Sequence, residues 1–116
     1  METPATVDRG EVIREVVHRL ANYYHPLRIY LFGSEVRGEA RPESDLDFLV
    51  VLPDDAPPRK WVGGGVYKHL LDIPIPVDVL TVRSSVFERE RSWLMTISAI
   101  ATREGKILYE SRPVAA

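Results

Sequence analysis

Apolar residues recur with helical spacing near the start of the chain. Val12, Ile13, Val16, Val17, Leu20 and Ala21 form one stripe, with Arg14, Glu15 and Arg19 on other faces, a pattern that predicts an amphipathic helix. Asp8, followed three residues later by Glu11, has the form of a capping box, which places the start near Arg9. Pro26 stops the helix after His25. The pattern then shortens. Residues 27–32 (LRIYLF), 46–52 (LDFLVVL) and 77–82 (VDVLTV) are short runs rich in β-branched, leucine and aromatic residues, bounded by Gly33, Pro53 and Pro76, and they predict three strands. Residues 34–39 are polar and predict one or two helical turns. In residues 61–71 the triplet 63–65 (GGG) predicts a loop, because each glycine would cost a helix about 1 kcal/mol, and a helix is expected after it. Ser84 or Ser85 is expected to cap a last helical region carrying Phe87, Trp93, Leu94, Ile97, Ile100 and Ala101. Gly105 ends it, before a short strand at residues 106–109.

The order α-β-(α)-β-α-β-α-β predicts an α/β (α+β) fold, a small mixed sheet flanked by helices. At 116 residues, with 45% hydrophobic and 28% charged residues, the chain is expected to form one domain, 1–116, with its core in about 10–110. It has room for one core and none for a second lobe.

Charge and composition remove several classes of function. Without cysteine, zinc fingers, disulfide frameworks and thiol catalysis are excluded. A formal net charge of −2 and a pI near 5.9 leave no electrostatic footprint for general nucleic-acid binding. The longest apolar run, residues 48–52, is far short of a bilayer span, and residues 1–10 lack a secretory pattern. A cytoplasmic location without membrane association is expected.

The chemistry concentrates in Gly33-Ser34, ten intervening residues, then Asp45-Leu46-Asp47. Along a strand, residues i and i+2 share a face, so Asp45 and Asp47 project together while Leu46, Phe48 and Val50 face the other way. Adjacent carboxylates repel unless a cation lies between them, and all-oxygen donors favour Mg²⁺ or Mn²⁺. Asp78 is a third carboxylate inside an apolar strand, where an unpaired charge is costly. If that strand neighbours the second, the three form one cluster able to hold two ions. Gly33 lets a phosphate approach the backbone, and the turn after it offers N–H donors together with the Ser34 hydroxyl. Carboxylates beside a phosphate cradle make a nucleoside triphosphate site. Each residue also has a plainer reading: a solvated strand end for Asp45 and Asp47, an exposed edge for Asp78, a helix cap for Ser34. Ser44 is expected to brace the Asp45–Asp47 strand. His18, His25 and His69 are scattered and read as structural or solvated, and Trp93 as core or partner interface.

The stretch GSEVRGEARPESDLDFLVV resembles the GS-x10-DxD signature of the polymerase-β-like nucleotidyltransferase superfamily, and VDVL around Asp78 resembles its third-carboxylate strand. In size, and in IATREGKILYE near the C-terminus, the chain resembles the minimal nucleotidyltransferases (MNT) of HEPN/MNT toxin–antitoxin pairs. The resemblance implies metal-binding and catalytic roles for Asp45, Asp47 and Asp78, with two Mg²⁺ ions. It implies triphosphate binding by Gly33 and Ser34. Arg37 matches the arginine of the family's GSxxRG pattern, which leaves it between a triphosphate contact and a surface salt bridge. Trp61 and the glycine triplet match nothing in the family pattern.

The resemblance further implies a nucleotidyltransferase that moves AMP from ATP, or a nucleotide from another NTP, onto a hydroxyl of a HEPN-domain toxin. Two other readings stay open: transfer to a small hydroxylated molecule such as an aminoglycoside, and a non-enzymatic antitoxin that binds nucleotide and acts by occlusion. Because so short a chain leaves little protein for an acceptor pocket, a protein partner or self-association is expected to bring the acceptor to the site.

Overall fold

The computed structural model describes residues 8–41, 44–61 and 64–111. The Asp8 carboxylate accepts from the Glu11 backbone N–H at 3.2 Å and opens α1 (Arg9–Tyr24). His25 then takes a left-handed conformation (φ 49°) and returns its N–H to the Ala21 carbonyl. Pro26 is buried behind this cap, and the chain enters β1 (Arg28–Phe32). A single turn, α2 (Ser34–Arg37), leads through a loop to β2 (Leu46–Leu52). Further along lie β3 (Val77–Arg83), α3 (Ser84–Glu90), α4 (Ile97–Glu104) and β4 (Lys106–Glu110).

The sheet order is β3-β2-β1-β4. β1 runs antiparallel to both β2 and β4, and β3 is parallel to β2, so the sheet is mixed as expected. Alternation along β2 feeds two cores. Leu46, Phe48, Val50 and Leu52 pack with Val16 and Leu20 of α1, while Leu49 and Val51 pack with Phe87 and Ala101 of the α3–α4 layer. Every β2 residue except Asp47 is buried. A strand covered on both faces needs a near-continuous apolar sequence, and a carboxylate placed in one must have a compensating use.

Three expectations need correction. The last helical region is two helices rather than one. The Thr96 hydroxyl accepts from the Ala99 N–H at 3.0 Å and donates to the Glu90 carbonyl at 2.9 Å, so it starts α4 and closes the turn behind α3. Trp93 and Leu94 fall in that turn and are exposed, not core, as is Met95. Second, neither serine caps α3 through its side chain; Asp54 reaches across from the loop after β2 and accepts from the Ser85 N–H at 2.9 Å. Third, the segment after the glycines forms only a short 3-10 turn, Tyr67–His69. A Cβ at Gly65 would press on the Tyr23 hydroxyl, so a larger residue there would have to displace that ring; Gly63 lies outside the described residues. Trp61 has a structural role: its indole N–H donates to the Ala56 carbonyl at 2.9 Å, and Arg83 lies over its ring.

Gly105 does end α4, through close approach rather than a left-handed backbone: a Cβ there would run into the Ala101 carbonyl and lie 3.1 Å from that of Leu31. No helix among the described residues is long and apolar enough to cross a membrane.

β3 is an edge strand. The Tyr67 hydroxyl, half-buried, accepts from the Val79 N–H at 2.9 Å, which blunts that edge. Tyr67→Phe leaves this N–H without its partner, and a loss of about 1 kcal/mol is expected. In a thermal melt this reads as a fall in Tm of about 4–8 °C; an unchanged Tm would show that water replaces the tyrosine without cost.

Candidate active site

The strand register builds the site. Phe32 of β1 pairs with Asp47, and Asp47 pairs with Asp78. Gly33, Asp47 and Asp78 therefore follow one another across the same end of the sheet. Asp45 lies just before β2, exposed, at the i−2 position from Asp47. The structure thus brings Asp45, Asp47 and Asp78 to one end, next to the turn that carries Gly33 and Ser34.

Gly33 has φ 85° and ψ −156°, a region that only glycine occupies without strain. A Cβ at this position would collide with the Asp47 carboxylate. Gly33 and the central aspartate meet across the strand pair, so each limits what the other can be. Behind Gly33, α2 begins without a side-chain cap, leaving its opening N–H groups uncapped by any side chain. The α2 turn itself is held by bonds from the Val36 and Arg37 N–H groups to the Gly33 carbonyl.

Electrostatics single out Asp47. Burial lifts its carboxyl above the ordinary carboxylate range, the negative charges of Asp78 and Asp45 lift it further, and Arg37 opposes them. The carboxylates are therefore within electrostatic reach of one another, and the central one is ionised at a cost that a cation would repay. Among the described residues no group of three or more histidine, cysteine, aspartate or glutamate side chains is placed to hold a metal ion. The donors stand as an open row, all oxygen and mutually repelling, which fits a hard divalent cation far better than a nitrogen- or sulfur-preferring one.

Arg37 makes a salt bridge to Glu39 at 2.9 Å, with both side chains exposed, yet its charge still reaches Asp47. The surface-pair reading is the observed one, and the charge remains available to the site. Ser44 braces the entry to β2 as expected: its hydroxyl accepts from the Arg41 N–H at 2.8 Å and its own N–H donates to the Arg41 carbonyl at 2.9 Å. The histidines sit elsewhere, His18 against Asn22, His25 as the α1 cap and His69 beside the Tyr23 ring.

Sequence reasoning missed Arg9. Its guanidinium reaches from the first residue of α1 to the Glu35 carboxylate at 2.7 Å and to the Ser44 carbonyl at 2.9 Å. Nothing in the local pattern marks it, since an arginine at a helix start reads as a solvated residue.

Comparison with known proteins agrees with this geometry. A candidate protein adenylyltransferase of Methanocaldococcus jannaschii is 28% identical over 105 residues, covering 89% of this chain and all of the relative. Two toxin–antitoxin crystal structures share the fold at 21% identity. One is a mutant MntA–HpeT, with a TM-score of 0.57 over 86% of this chain and 73% of the other. The second, solved with AMP-PNP, has a TM-score of 0.52 over 91% of this chain and 76% of the other. Residues 11–104 match the nucleotidyltransferase domain family, a span that takes in the Gly33–Ser34 turn and all three carboxylates. With that match and a site built of those residues, the chain belongs to the nucleotidyltransferase domain family and is a nucleotidyltransferase.

Proposed function

We propose that the enzyme transfers AMP from ATP, in the presence of Mg²⁺, to a hydroxyl on a partner protein, and that the partner is the HEPN toxin of a toxin–antitoxin pair. The observation that carries this reading is the full-length similarity to a candidate protein adenylyltransferase. That relative is matched over its whole length by 89% of this chain. The fold shared with two toxin–antitoxin structures, one of them with an ATP analogue, supports the nature of the partner and of the nucleotide.

In this reading Gly33 gives the triphosphate access to the backbone, and the α2 turn with the Ser34 hydroxyl donates to its oxygens. Asp45, Asp47 and Asp78 would hold Mg²⁺, which when bound supplies positive charge against the triphosphate. The acceptor oxygen bonds to the α-phosphorus, the bond from that phosphorus to the bridging oxygen breaks, and pyrophosphate leaves. Asp78, exposed on the edge strand, is open to an incoming protein, and it takes the proton of the acceptor hydroxyl. Catalysis is then chiefly positioning and charge stabilisation.

The test is incubation of the chain with α-labelled ATP, Mg²⁺ and a HEPN-domain toxin protein. Label on the partner is expected, together with loss of its toxicity, and Asp45→Asn should remove at least about nine-tenths of the labelling. An unlabelled partner, or one labelled equally by the variant, overturns the reading. An Asp45→Asn protein that still neutralises the toxin without labelling it would indicate occlusion instead.

A further inference from the structure

We propose that Arg9 is a positioning residue that locks the phosphate turn and the carboxylate strand at a fixed separation; this rests on the triphosphate role given above to Gly33 and Ser34. The two halves of the site are joined in sequence by a loop. Residues 39–41 and 44–45 are neither helix nor strand, and within this loop the Ser44 hydroxyl accepts from the Arg41 N–H. A loop alone fixes its ends poorly.

The β1–β2 ladder sets Phe32 opposite Asp47, and Arg9 adds a tie to the two segments that lie outside that ladder. Its Nε donates to Glu35 Oε1 at 2.7 Å, and Glu35 is the residue after Ser34. Its Nη2 donates to the Ser44 carbonyl at 2.9 Å, and Ser44 is the residue before Asp45. One planar guanidinium thus bridges the neighbours of both motif halves. Its own backbone sits in the first turn of α1, a helix held in the main core through the fully buried Val16 and Leu20. The side chains of Arg9 and Glu35 are only 18% and 23% exposed, so the pair is partly shielded from water, unlike the Arg37–Glu39 pair at 48% and 65%. A charged bond in such a setting holds geometry more firmly than a surface pair does. The contact of Gly33 with Asp47 makes the separation matter, because a small shift between the halves alters the space where phosphate and carboxylates meet.

Lysine cannot replace this arrangement, since one ammonium lacks the rigid fork that directs two donors in fixed directions. The experiment compares the wild type, Arg9→Lys and Arg9→Met by native-state amide hydrogen exchange and by binding of AMP-PNP with Mg²⁺, alongside thermal melts. For Arg9→Met we expect exchange about tenfold faster in residues 34–37 and 44–46, and AMP-PNP binding about tenfold weaker, with amides of β2 beyond Phe48 unchanged. Arg9→Lys should fall between. In turnover, the KM for ATP should rise more than kcat falls. Unchanged exchange in both segments, or exchange that rises across the whole sheet in step with a lower Tm, overturns the proposal by making Arg9 merely structural or inert. If the wild type itself does not bind AMP-PNP, the triphosphate reading fails, while the exchange data still decide whether Arg9 ties the two segments.

Discussion

Asp47→Asn should reduce nucleotidyl transfer by at least about a hundredfold and at the same time make the protein more heat-stable. The two effects have one cause. The Asp47 side chain sits in a strand whose other residues are all buried, with Asp45 and Asp78 as negatively charged neighbours. The folded state raises its pKa above the unfolded value, so ionised Asp47 opposes folding at neutral pH. An amide of the same shape keeps the packing and removes the repulsion. As pH falls through the raised folded pKa, the wild-type carboxyl takes up a proton and its penalty disappears. The stability advantage of Asp47→Asn should therefore be full at neutral pH and shrink on acidification into and below the carboxylate range. Melting curves of both proteins between neutral and acidic pH check this. A variant less stable than wild type at pH 7 would show that Asp47 makes compensating bonds in the folded protein.

Gly33→Ala should cost both activity and stability. The added methyl is placed at φ 85°, where an L-residue is strained by about 1–3 kcal/mol, and it also meets the Asp47 carboxylate. Activity should drop at least about a hundredfold, because the Gly33 turn, proposed above to cradle phosphate, and the central carboxylate cannot both keep their places. The steric part is separable from the strain. Combining Gly33→Ala with Asp47→Ala removes the colliding carboxylate, so the double variant should recover part of the lost Tm while remaining inactive. If the two changes simply add in Tm, the collision is absent and backbone strain alone accounts for the loss.

Much of this was legible in the sequence where local and global signals agree. The stripe from Val12 to Ala21, the Asp8 cap and Pro26 define α1 closely, since helix period, cap and breaker all act within one segment. Asp45, Asp47 and Asp78 were legible because strand alternation and an out-of-place charge are properties of the chain itself. Their adjacency was conditional on β3 lying beside β2, and the parallel register supplies it. What escaped depends on atoms brought from elsewhere. The gap between α3 and α4 is made by Thr96 bonding to Glu90 and Ala99, within a run whose apolar spacing continues across it. The cap of α3 comes from Asp54, 31 residues away. Arg9 meets Ser44 across 35 residues, and no window along the chain contains that pair.

The peripheral place of β3 has a consequence for how the enzyme can fail. Among the described residues its one sheet neighbour is β2, and it carries one of the three acidic groups, whereas Asp47 rides on a strand paired on both sides. Peeling an edge strand disrupts one ladder and withdraws the partly buried Val77 and Val79 from the α1 core while Val16 and Leu20 keep their other partners, so it needs less free energy than melting the molecule. Partial detachment of β3 would silence the chemistry reversibly in a molecule that still looks native by its helices. The durability of the activity is thus set by the hold on this outermost ribbon rather than by the strength of the whole fold.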